Sequence, residues 1–347
     1  MHRRGEHRKN SFLTLVDSIV SGVARVTAAT QPGDGARPVA LFIVGMPRSG
    51  TSALTRVLSL CGAALPTRLH GAVSDNPTGR WEPRASLLLN DAILRRHRSA
   101  AFDPTFRLQA EGALDVETNA ASIAKIRTYL SSLLGAPVVV IKDLQISVLS
   151  EMWFEAARQA GFDIAAVIAV RHPQEAIASF TARDGTTPEL ASALWLKFTL
   201  LAERHTRGLP RVVVEYANLL EDWRREIKRI SAALGVDLAT RDEAAIEEFL
   251  RPDLHNQRHD GPVTEFFGTD WFTTVFNALR AAARDEPVDE SALDRVLAAY
   301  RASEHSFRTA VEDFRYFQRR TRLVPPSIAK FSLEVVALAH RRRGTWA

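Results

Sequence analysis

A single cysteine, Cys61, in 347 residues excludes an internal disulfide framework and a thiolate-rich zinc site. No stretch approaches the roughly 18 uninterrupted apolar residues that a membrane-spanning helix needs, so none is expected. The ten histidines are scattered, and His255 and His259, four apart, fall in a polar segment without helical pattern. No metal site is expected from them. Basic charge is also missing where a nucleic-acid grip would need it. The net charge is +5, but residues 1–37 hold +3 and residues 319–347 hold +6, which leaves −4 for the middle. A protein that tracks a nucleic-acid backbone carries its basic surface on the folded core, so that class is set aside. No internal repeat is visible.

What the chain does have is strong alternation. The breaker-rich run Gln31-Pro32-Gly33-Asp34-Gly35-Ala36-Arg37-Pro38 separates a basic N-terminal arm, residues 1–37, from a domain expected over 38–318. In the arm, Phe12, Leu15, Val16, Ile19, Val23 and Val26 keep helical spacing, while Asp17, Ser18, Ser21 and Arg25 break the continuous apolar run that a signal peptide requires. A second basic amphipathic helix is expected within 319–347, with Ile328, Phe331, Val335 and Leu338 on one face and Arg341-Arg342-Arg343 at its end. Packing on the domain, a homodimer contact and peripheral attachment to an anionic membrane surface all stay open for these helices.

Between the ends, apolar strands are expected over 39–44, 137–141, 164–170 and 211–216. Helices are expected over 51–61, 84–96, 117–134, 148–160, 173–183, 187–206 and 218–234, with a helical, charged remainder after Gly235. Strands that are apolar on both faces and alternate with helices imply a parallel sheet covered on both sides. The fold class is therefore α/β, a P-loop-type three-layer sandwich with a helical C-terminal part.

The most informative stretch follows the first strand: Gly45-Met46-Pro47-Arg48-Ser49-Gly50-Thr51-Ser52. Strand, tight glycine turn and helix form the geometry in which backbone N–H groups and a helix N-terminus close on a phosphate. Gly45 and Gly50 keep the spacing of a nucleoside-triphosphate loop, yet Thr51 stands where that loop has its lysine, and the cation is Arg48. A triphosphate site uses that lysine on the β- and γ-phosphates. The 5′ group should therefore be different. The strand ending at Val170 leads into a second element, Arg171 followed by His172-Pro173 and, eight residues after the arginine, Ser179. A guanidinium fork plus a hydroxyl suits a phosphate monoester.

Together these two elements resemble the sulfotransferases that use 3′-phosphoadenosine-5′-phosphosulfate (PAPS). The loop of that family, P-[KR]-S-G-T-[ST], is matched by Pro47, Arg48, Ser49, Gly50, Thr51 and Ser52, and its 3′-phosphate arginine and serine by Arg171 and Ser179. The resemblance, closest to a bacterial group, covers about residues 39–260. It includes Arg183-Asp184-Gly185 and the run from Glu215-Tyr216 to Trp223. It implies a sulfuryl transferase whose donor is PAPS and whose product is 3′,5′-adenosine bisphosphate. Chemistry of this kind rests on positioning and charge stabilisation, and no metal is implied.

The resemblance also implies roles. Lys142, ending the strand Val138–Ile141, takes the place of a lysine beside the sulfuryl group. Asn76-Pro77-Thr78-Gly79-Arg80-Trp81-Glu82 resembles the N-P-x-G-x-W-E segment of the bacterial group and makes Glu82 the candidate base, with Asp143, His70 and His97 left as alternatives. Leu144 and Gln145 stand where the group commonly has proline and arginine, and the R-K-G-x-x-G segment of the cytosolic enzymes has no counterpart; Arg251, His255 and Arg258 are the nearby cations. The expected acceptor is a hydroxyl or amine of a carbohydrate, glycolipid or small metabolite, and the expected compartment is the cytoplasm. A P-loop kinase and a catalytically degenerate member of the same fold are the competing readings.

Overall fold

The computed structural model describes residues 37–70, 79–110, 112–240, 242–250, 259, 261–267, 269–304, 331 and 335. Four strands, β1 (Val39–Gly45), β2 (Val138–Lys142), β3 (Asp163–Val170) and β4 (Arg211–Glu215), form one sheet in the order β2-β1-β3-β4. All three pairings are parallel, with Val39 opposite both Val138 and Asp163, and Ala166 opposite Arg211. The chain leaves β1 toward β2 and returns to its other side as β3. Ligands of open α/β sheets bind at such a reversal, outside the carboxyl ends of the strands.

Alternate strand residues feed two cores, as period-2 side-chain direction requires. Leu41, Ile43, Val140, Val167 and Val214 pack with Leu54, Val57 and Leu58 of α1 (Thr51–Leu60) on one face. On the other, Phe42 meets Trp153 and Phe154 edge-on, both from the helix Ile146–Ala160. Each layer is thus sealed by aliphatic or aromatic side chains.

Between α1 and β2 lie α2 (Arg84–Arg96) and α3 (Ala120–Ser131). The helix after β2, α4 (Ile146–Ala160), ends at Gly161 with φ 93°. Then come α5 (Pro173–Asp184) and α6 (Pro188–His205), the latter started by the Thr187 side chain accepting from the Leu190 N–H. The one long helix expected over 218–234 is two, α7 (Tyr216–Glu221) and α8 (Trp223–Leu234). Asp222, extended at φ −150°, breaks it and caps the second part by accepting from Arg225 N–H. Beyond Gly235 the described residues form α9 (Glu243–Phe249) and α10 (Trp271–Ala282), and residues 290–304 are helical, with no further strand among the described residues.

The chain divides into two compact units, residues 1–297 and 298–347. The second is helical over 298–304. The N-terminal amphipathic arm and most of the C-terminal helix lie outside the described residues, as do Arg251, His255 and Arg258. Among the described residues no helix is long and apolar enough to cross a membrane.

Candidate functional site

The carboxyl ends of β1, β2 and β3 carry most of the residues singled out by sequence. Gly45 closes β1 at φ 130°, where a Cβ would sit 2.4 Å from the Ala169 carbonyl oxygen of β3. Its N–H donates to Ser147 Oγ at 3.0 Å, a partner from α4 that the sequence did not single out. The loop then tightens, with Ser49 N–H donating to Met46 O at 3.2 Å. Arg48 takes a left-handed backbone, φ 71°, costly for a residue with a Cβ. Gly50 at φ 85° starts α1, and a Cβ there would lie 2.2 Å from the Tyr216 ring. Glycine is needed at both ends of this tight loop, a cradle that leads into the first N–H groups of α1. Pro47, Ser49 and Thr51 are buried beneath it.

Two clusters sit at this cradle. In the first, Lys142 and Glu82 form an ion pair at 2.6 Å, their side chains only 4% and 3% exposed. The Lys142 ammonium also donates to Arg80 O at 3.1 Å and to Ser52 Oγ at 3.4 Å. Lys142 is therefore drawn inward, not extended to solvent from the strand end. Glu82 reaches this point through a short, unusual backbone. Gly79 and Trp81 are both left-handed, at φ 94° and 58°, and Leu69 pairs antiparallel with Pro83. Arg56 of α1 caps the Trp81 ring at 4.8 Å. Strain at a non-glycine residue is found where the surroundings dictate a position; here it delivers a carboxylate under the loop.

Asp143 is buried next to this pair. It accepts from Ser86 Oγ and from Gln145 N–H, each at 2.9 Å. Burial, with the Glu82 charge adding to it, pushes its carboxyl up to about 6. His70 touches the cluster by its backbone, donating to Glu82 O at 2.6 Å. His97 does not. It ends α2, whose 13 residues start just after Glu82, so it is about 20 Å away along the helix, bonded to Asn119 at 2.8 Å.

The second cluster is at the end of β3. Arg171, 7% exposed, donates from Nε to Glu175 Oε2 at 2.7 Å and from Nη1 to the Arg48 carbonyl at 3.2 Å, and its guanidinium lies 5.0 Å from the Tyr216 ring centre. Burial pushes the Tyr216 phenol up, while the Arg171 charge opposes it. Arg48 in turn donates from Nε to Ser179 Oγ at 2.9 Å. The loop cation and the strand-end arginine, 123 positions apart, are thus joined through hydrogen bonds.

Beside Arg171 lies a cavity of about 340 Å³ lined also by His172, Glu175, Glu215, His259, Phe276 and Arg280. His172 and His259 face each other with ring centres 4.8 Å apart, and burial together with His259 lowers the His172 pKa. Sequence reasoning passed over Glu175, and named Tyr216 only within a matching run, without a role. A carboxylate four residues after an arginine at a helix start, and a tyrosine at a strand end, were the available signals.

A family model described as "Sulfotransferase family" matches residues 38–240, more than half of the chain. Solved structures similar to this chain include the sulfotransferase domain of the Synechococcus PCC 7002 olefin synthase, with 20% identity over 78% of this chain and 98% of that one, TM-score 0.34. The sulfotransferase domain of the curacin biosynthetic pathway has 14% identity over 73% of this chain and 100% of that one, TM-score 0.39. The sulfotransferase STF1 of Mycobacterium tuberculosis H37Rv has 15% identity over 63% and 72%, TM-score 0.33. None of the curated proteins matches.

Proposed function

The chain belongs to the sulfotransferase family, and from that premise we propose that it transfers a sulfuryl group from PAPS to a hydroxyl or amine of a carbohydrate, glycolipid or small-metabolite acceptor. The observation that carries this reading is the Arg48–Arg171 connection at the cradle. It joins a phosphate loop lacking the triphosphate lysine to a strand-end arginine with Ser179 in reach of Arg48. Two phosphate-binding features in one hydrogen-bonded unit suit a nucleotide phosphorylated at both 5′ and 3′ positions. Arg48, Gly50 and Ser52, the partly exposed members of a loop whose other residues are buried, suit that group at the N-terminus of α1.

When bound, PAPS supplies an activated sulfuryl group and a bisphosphate leaving group. The residues of this chain do the rest. Arg48, Ser49, Gly50, Thr51 and Ser52 would hold the 5′ end with the α1 N-terminus and stabilise charge on the departing oxygen. Arg171 and Ser179 would recognise the 3′-phosphate. Lys142 would face the sulfuryl oxygens, and Glu82, fixed by Lys142 at 2.6 Å, would take the proton from the acceptor as its oxygen or nitrogen bonds to sulfur. Asp143, held beside this pair by Ser86 and the Gln145 N–H, is the alternative base.

Calorimetric titration with 3′,5′-adenosine bisphosphate, AMP and ATP–Mg²⁺ tests this. Preference for the bisphosphate, lost in Arg171→Ala, is expected. Preference for ATP–Mg²⁺ would replace it with the kinase reading. Bisphosphate binding without turnover of any acceptor would leave a degenerate, nucleotide-holding member of the family.

A further inference from the structure

A site for a dianionic phosphate does not need a buried carboxylate, yet Glu175 is 8% exposed and lies against Arg171. It does more than neutralise that arginine. One oxygen, Oε2, accepts from Arg171 Nε at 2.7 Å; the other, Oε1, accepts from the backbone N–H of His259 at 2.9 Å. The neighbouring Gln174 donates to Thr264 O at 2.8 Å. Farther along, the Glu265 carboxylate accepts from the N–H groups of Phe272 and Thr273 and so anchors the start of α10. His259, Gly261, Pro262 and Val263 line the cavity next to Arg171. One carboxylate therefore fixes both the guanidinium and the segment that walls the cavity beside it.

We propose that Glu175 is a positioning residue for recognition of the 3′-phosphate: it orients Arg171 and pins the His259 segment to the same point, without touching the nucleotide itself. This rests on the sulfonucleotide reading above and adds to it a residue whose sign of effect runs against simple charge counting. Taking a negative charge away from beside a dianion should strengthen phosphate binding. Positioning demands the reverse. An arginine side chain has several rotatable bonds, and its planar fork is effective only when its orientation is set in advance.

The test compares the full-length protein with Glu175→Gln and Glu175→Asp by calorimetry with 3′,5′-adenosine bisphosphate and with AMP, which lacks the 3′-phosphate. The amide of glutamine has one accepting oxygen and presents an N–H₂ to the second donor, so it cannot serve both Arg171 and His259. In Glu175→Gln the preference for bisphosphate over AMP should fall by about tenfold or more while AMP affinity stays within about threefold. Glu175→Asp, which keeps both acceptors on a shorter stem, should show an intermediate loss. Hydrogen exchange at the His259 amide in the unliganded protein should speed up in the glutamine variant, with cooperative thermal unfolding retained. Unchanged or tighter bisphosphate binding in Glu175→Gln overturns the proposal, as does unchanged exchange at His259. If Glu175→Gln does not unfold cooperatively, the aspartate variant decides, and wild-type preference there overturns the proposal. A wild-type protein that does not prefer the bisphosphate to AMP defeats the sulfonucleotide reading itself, and this inference with it. The two failures are thus distinct.

Discussion

Two buried cation–carboxylate pairs stand at the mouth of the sheet, and they are built differently. Lys142 and Glu82 meet at 2.6 Å across 60 positions of sequence, whereas Arg171, at the end of β3, and Glu175, in the first turn of α5, meet at 2.7 Å across 4. The local pair follows from β3 running almost directly into α5, whose first turn carries Glu175 beside the strand-end arginine. The distant pair requires that a strand end and a strained loop be brought together by the whole fold. Both are about equally removed from solvent, so their differences should come from how they are assembled, not from burial.

The largest expected effect is on turnover at the distant pair. Under the proposed function, Glu82→Gln should lower kcat by about 10²- to 10⁴-fold with little change in bisphosphate affinity, read by steady-state assay and calorimetry together. Equal activity in the variant would move the base to another residue, Asp143 first. Next is stability. Lys142→Met leaves Glu82 buried without its cation and should cost about 3–5 kcal/mol in urea unfolding, with the Lys142→Met/Glu82→Gln double variant recovering most of it. A loss of less than about 1 kcal/mol would mean that the pair is no tighter than a surface one.

A smaller effect sharpens the comparison, because the distant cluster contains a third titratable group. The folded pKa of Asp143, about 6, lies above the usual unfolded value. Its stabilising contribution is thus complete below the unfolded pKa and is lost as pH rises through about 6. Asp143→Asn abolishes that loss. Its stability relative to wild type should rise by about 2 kcal/mol between pH 4 and pH 7, followed by unfolding midpoints at each pH. A flat difference would show that Asp143 ionises as it does in the unfolded chain.

The smallest effect tests whether the loop arginine and the serine of α5 act on the same end of the nucleotide. Ser179 holds Arg48 at 2.9 Å, although the family resemblance assigns the serine to the opposite end of the nucleotide. Ser179→Ala should weaken AMP as well as the bisphosphate by about three- to tenfold, the net worth of one ordinary hydrogen bond. Weakening of the bisphosphate alone would mean that the Arg48 contact has no bearing on the 5′ site.

Much of this was legible beforehand. Apolar strands flanked by helices, the glycine spacing of residues 45–50 and the Arg171–Ser179 step read directly, because each depends on a short window of neighbours. The helix 218–234 misread for the same reason: the apolar spacing continues through Asp222, and only its capping bond to Arg225 shows the break. His97 and Glu82 were candidates of one kind in the sequence, and the straight run of α2 separates them.

Sequence by itself determined the fold class and the strand, glycine turn and helix of residues 39–60, with Arg48 as the cation of the turn. The tertiary structure alone decided that Glu82 lies under Lys142, that Arg48 bonds Ser179, and that Glu175 serves two elements at once. The reason is physical: helix and strand patterns follow from local backbone geometry, whereas a buried charge can remain buried only beside a partner, and that partner is supplied by whichever distant segment the packed sheet brings within hydrogen-bond range.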